Sequence, residues 1–107
     1  MVMRHWRGWT TRENADAYQA IVSTEVLPSI AARGVAGYHG AYLLRRDDGD
    51  EVEFATVMKF DSIASVRAFA GEDYETAYVP PRAREVLARF DARSAHFEVL
   101  LTPDDTR

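Results

Sequence analysis

The chain has 107 residues, no cysteine, 47% hydrophobic residues and a formal net charge of −4, which is enough for one compact domain and excludes a second. A chain of this size hides about 65% of its unfolded surface, so any ligand site shares residues with the core or with another subunit. Without cysteine there are no disulfides, thiol nucleophiles or thiolate zinc sites, a pattern that fits a reducing cytoplasm. The twelve arginines and single lysine are spread along the chain, so no nucleic-acid surface is expected. Arg4, His5 and Arg7 interrupt the opening residues, leaving no export signal there, and no apolar run reaches the ~20 residues of a membrane span.

Met1 to Trp9 reads as a first strand that stops at the Thr10-Thr11 pair, a helix N-cap signal. From Thr11 to about Ala32, Ala15, Tyr18, Ile21, Val22, Val26 and Ile30 fall in one sector of an amphipathic helix. Pro28 lies inside it and predicts a kink or break near Leu27. Gly37 to Arg46 and Glu51 to Phe60 flank Asp47-Asp48-Gly49-Asp50, the sign of a hairpin between the second and third strands. In the third strand Val52, Phe54, Thr56, Met58 and Phe60 alternate with Glu53, Ala55, Val57 and Lys59, and its middle is apolar on both sides, as in a sheet covered on both faces.

Asp61-Ser62 caps a second helix carrying Ile63, Val66, Phe69 and Ala70, closed by Gly71. Glu72 to Val79 has weak periodicity. Pro80-Pro81 opens a third helical stretch with Ala83, Val86, Leu87 and Phe90 on one side, and Ser94 to Leu101 reads as the last strand. The expected domain spans residues 1–101, with a tail at 102–107. Its order is that of two split βαβ units: an α+β, ferredoxin-like βαββαβ fold whose four-stranded antiparallel sheet carries its helices on one face. The uncovered face predicts a homodimer.

Several segments together resemble the dimeric α/β-barrel superfamily, in particular its antibiotic-biosynthesis-monooxygenase type. These are Arg4-His5-Trp6-Arg7-Gly8, Gly37 to Arg46, Lys59-Phe60-Asp61-Ser62, Phe69-Ala70-Gly71-Glu72-Asp73 and Ala95-His96-Phe97-Glu98-Val99. The resemblance implies a dimeric α/β barrel and, from its quinone-forming members, oxygenation of an aromatic or polyketide-like molecule without metal or flavin. Heme-degrading members use an Asn on the first strand, a Trp near the end of the third and a His on the helical segment after it. Here the one Asn is Asn14, strand three ends in Phe60, and Gly71 to Pro80 holds no His.

His5 and His96 fall on strands that neighbour each other in this fold, so one imidazole can serve as general base near neutral pH, or each can simply pack in the sheet. His39 lies two strands from the first, roughly 10 Å away, too far to complete a metal site with the other two. Trp6, Tyr74 and Tyr78 offer flat surfaces for an aromatic ligand, the two tyrosines as lid residues on the least regular segment. Glu25 sits in the apolar sector of the first helix, either as a pocket acid or base with a cationic partner, or turned to solvent by Pro28. Arg82 can clamp an anionic substrate or lie in solvent. The expected catalytic set is thus His5, His96 and Glu25, and the substrate-binding set Trp6, Tyr74, Tyr78 and Arg82, with no metal and no cofactor. Two further readings share the pocket: a non-catalytic small-molecule-binding or stress-associated protein, and a non-oxidative lyase or isomerase.

Overall fold

The computed structural model describes residues 1–107. Strand β1 (Val2–Thr11) leads into helix α1 (Ala15–Ile21), a π-helical turn (Val22–Val26) and helix α2 (Leu27–Ala32). The hairpin β2 (Tyr38–Asp48) and β3 (Glu51–Phe60) follows, then helices α3 (Ile63–Ala70) and α4 (Pro81–Val86). Short strands β4 (Arg89–Phe90) and β5 (Ala95–Glu98) and a terminal turn α5 (Pro103–Thr106) complete the chain. The sheet runs β2-β3-β1-β4, with β5 also on β1, and every pairing is antiparallel. This is the ferredoxin-like order expected from the sequence, with helices on one side and no closed barrel within the chain.

Three details differ from the sequence reading. Strand β1 runs on through Thr11, and α1 starts only at Ala15 with Asn14 at its N-cap, not at the Thr10-Thr11 pair. The irregularity expected at Pro28 is present as a widening of residues 22–26 into a π turn, which absorbs the missing N–H and the ring's crowding of the preceding turn. Thr24 Oγ1 and Ser23 Oγ donate to the Ala20 and Gln19 carbonyls there, at 2.6 and 2.7 Å. The third helical stretch stops at Val86, because Leu87 turns extended and Arg89–Phe90 joins the sheet opposite Trp9 and Gly8. The last strand is correspondingly shorter, Ala95–Glu98. The fourth position of the sheet is therefore shared by two strands of two and four residues.

The strand register sorts every side chain to one of two faces. Even-numbered residues of β1 and β3 face the helices: Val52, Phe54 and Phe60 are fully buried, and Val52 and Phe54 pack with Ala15, Tyr18 and Val22. Odd-numbered residues face away, joined by Tyr42 and Leu44 of β2 and Phe97 of β5. Gly49, at φ +65, takes the first of two turn positions between Asp48 and Glu51, where a type II′ hairpin turn needs positive φ. Ser62 caps α3 by accepting from the Ser65 N–H, and Gly71 at φ +87 ends it. No helix is long and apolar enough to cross a membrane.

Candidate functional site

Between the helices and the even face of the sheet lies an inner cavity of about 70 Å³. Trp6, Met58, Phe69, Val22, Leu27 and Val79 supply most of its apolar wall, and Arg4, Tyr18, Thr56 and Ser94 its polar atoms. A wider groove of about 640 Å³ opens beside it, bordered by Glu25, Ser29, Arg33, Thr76 and Arg82. Val26, Ile30, Phe69, Tyr78 and Pro80 belong to both, so the groove is the mouth of the cavity.

Trp6 is positioned by its strand and by Gly8. An added Cβ at Gly8 would stand 2.8 Å from the Trp6 ring, so the absence of a side chain there lets the indole lie along the strand. Its Nε1 donates to the Asp91 carbonyl at 2.8 Å, in the bend between β4 and β5. Tyr18 packs edge-on against Phe54, ring centroids 4.7 Å apart, and burial pushes its hydroxyl well above the ordinary phenol value. It stays a proton donor through neutral pH.

Arg4 is the residue that sequence reasoning missed. It is 5% exposed, on the helix face of β1. Its Nη1 donates to the Tyr74 carbonyl and to His96 Nε2, the latter at 3.0 Å, and its guanidinium lies 5.6 Å from the centre of the Phe69 ring. Both hydrogen-bond acceptors are neutral. No carboxylate lies within salt-bridge distance. The available signal was parity: Arg4 shares the Trp6 alternation, which places a cation on the side of the strand that faces the core.

The expected histidine pair does not form. Register pairs Arg4 with His96 and His5 with Ala95, so His96 points to the helix face and His5 to the other. Neither lines the cavity. His5 meets Phe97 edge-on at 6.3 Å on the open face. His96 stands behind Arg4 with the Tyr74 ring edge-on to it at 5.0 Å. Burial first, then the Arg4 charge, holds its pKa below the ordinary imidazole value, with Glu75 opposing. Its neutral Nε2 lone pair is occupied by the Arg4 N–H, so it serves as a buttress, not as a free base.

The remaining candidates divide between chamber and mouth. Trp6 lines the cavity and Tyr78, 75% exposed, borders both spaces. Tyr74 lines neither; it contributes its carbonyl to Arg4 and its ring to His96. The two tyrosines share no helical face, because Thr76 and Ala77 pair with Arg93 and Ala92 in an extended run. Glu25, on the π turn, and Arg82, on α4, form an ion pair at 2.5 Å beside the groove, so Glu25 has a cationic partner and is at the same time turned to solvent, the two side chains being 44 and 67% exposed. No group of three or more metal-ligating side chains converges in the structure.

The chain matches no protein-family model and no curated protein. Among solved structures it is similar to Rv0793 from Mycobacterium tuberculosis, with a TM-score of 0.60, 16% identity and coverage of 95% of this chain and 97% of that one. It is likewise similar to SnoaB, a cofactor-independent oxygenase from Streptomyces nogalater, with a TM-score of 0.55, 18% identity and coverage of 95% and 96%. These likenesses show the fold alone, the α+β, ferredoxin-like arrangement described above.

Proposed function

We propose that the protein is a small dimeric monooxygenase-like enzyme acting on an aromatic or polyketide-like molecule, without bound metal or flavin. The observation that carries this reading is the apolar cavity with a few convergent polar groups between sheet and helices, in a fold shared with a cofactor-independent oxygenase. In such chemistry a base removes a proton from an activated C–H, and the carbanion reacts with O₂. For an anthrone-type methylene, one O₂ converts CH₂ to C=O and releases one water.

Of the three proposed proton carriers, only Glu25 borders the space that a substrate would fill, and it takes the role of base. Arg82 holds its carboxylate in place. Trp6, Phe69 and Tyr78 provide the flat walls for the ring. The second subunit covers the open face, where Tyr42, Leu44 and Phe97 are 54, 51 and 57% exposed.

One observation favours a second reading. The inner cavity is small and walled by the protein's own aromatics, as suits a binding protein without catalysis. Oxygen uptake with anthrone as substrate separates the two. The oxygenase reading expects stoichiometric uptake and quinone formation, reduced about 100-fold in Glu25→Gln and retained in His5→Gln. No uptake, or an unaffected Glu25→Gln variant, removes it.

A further inference from the structure

A buried guanidinium costs free energy unless its charge is met by an anion and its donors by acceptors. Arg4 has neither condition fully satisfied. Nη1 is engaged by two neutral acceptors, whereas Nε and Nη2 have no acceptor within the protein. The carboxylate that acts on neighbouring His96 is that of Glu75, which is itself held by Arg93 at 2.8 Å. The hydroxyls of Tyr18, Thr56 and Ser94 line the same cavity and form no side-chain hydrogen bond within the protein. One fixed cation and three hydroxyls thus converge in a chamber whose other walls are apolar.

Resting on the proposed function for the location of the site, we infer that Arg4 is an anion-recognition residue. It receives the planar oxyanion, carboxylate or phenolate, of a ligand whose apolar body lies in the outer groove. The inner cavity has the scale of such a head group, and the groove has room for a ring system. A planar guanidinium with two free donor positions matches a two-oxygen anion better than an ammonium would. His96 and the Tyr74 carbonyl are positioning groups, since they fix the fork from behind by accepting from Nη1. The ligand reaches the site already ionised, its proton left with solvent, so no protein group needs to change charge on binding.

The test titrates the full-length protein with 1-naphthoate, with ionised 4-nitro-1-naphthol and with neutral 1-naphthalenemethanol, by calorimetry. At least one anion is expected to bind about tenfold or more tightly than the neutral probe, the scale of one charge-assisted hydrogen bond. Arg4→Met should lose that preference while binding of the neutral probe is unchanged. Naphthoate alone binding tightly assigns a carboxylate, and the nitronaphtholate alone a phenolate; either supports the inference. In the unmodified protein, the Arg4 Nε–H resonance should shift with the preferred anion and not with the neutral probe, a readout that stands even where Arg4→Met fails to fold. Equal binding of all three probes, or an unmoved Arg4 resonance, overturns the inference. Phenolate binding through Arg4 with no oxygen uptake from anthrone would keep this inference and remove the oxygenase reading. Oxygen uptake unchanged in Arg4→Met, with no anion preference, would do the reverse.

Discussion

On the open face of the sheet Arg7, Arg46 and Arg89 each reach a carboxylate, Asp91, Glu53 and Glu51, at 3.0, 2.8 and 2.9 Å. Arg7 and Arg89 also lie over the ring of Trp9, at 5.1 and 3.9 Å, and bury it on a face that has no helices. On the helix face Arg4 is more deeply buried than any of them and reaches no carboxylate. The same residue type in the same sheet is structural where its charge is matched and points to a ligand where it is not. The contrast extends to the apolar residues: Phe54 is sealed on the helix face, whereas Leu44 and Tyr42 stand half in water on the other.

Substitutions on each face test the contrast. The largest effect belongs to the sealed side. Phe54→Ala is expected to cost about 3–5 kcal/mol in chemical denaturation, and a loss under 1 kcal/mol would mean that the helix layer is not the core. Leu44→Asp should barely alter the monomer's own stability but should convert the proposed dimer into a monomer in sedimentation velocity. A variant that still sediments as a dimer would move the interface away from this face. Gly8→Ala should come next, since its methyl must displace the Trp6 ring. A loss of about 1–3 kcal/mol is expected, together with a changed Trp fluorescence spectrum.

Protonation acts on the helix face more gently. Because the folded-state pKa of His96 lies below its unfolded value, the unfolded chain binds more protons as pH falls past about 6.5. Stability is therefore full above that value and declines below it, toward the folded pKa. His96→Gln should flatten this part of the stability curve. The smallest change is a gain: Thr10 Oγ1 is buried without a hydrogen-bond partner, and Thr10→Val should stabilise by up to about 1 kcal/mol.

Alternation and caps made most of the fold legible. The third strand's even residues form the buried face, and Ser62 and Gly71 bound α3 as their types suggest. What escaped was set by long-range pairing. Whether residues 89–90 continue a helix or join β1 depends on the free edge of β1, and local pattern does not encode that. Of the candidate site, Trp6, Tyr78, Glu25 and Arg82 were each legible alone, but local pattern did not show that Glu25 and Arg82, 57 residues apart, pair with each other. His5 and His96 were placed on the right strands, but a one-residue offset in register put them on opposite faces. Arg4 was hidden because a lone arginine in a strand carries no local mark of whether a carboxylate waits across the fold.

The split edge of the sheet ties the wall of the cavity to β1. Between β4 and β5 the Asp91 N–H donates to the Arg7 carbonyl, while the N–H groups of Ala77 and Ser94 donate to the carbonyls of Ala92 and Glu75. The wall of the cavity is thereby laced to the rim of the sheet, and the run from Tyr74 to Tyr78 is tied through it to β1. An occupant pressing on Tyr78 would be felt in the amides of residues 77, 91 and 94. Slowed hydrogen exchange at those three positions would report a filled chamber before any chemistry is detected.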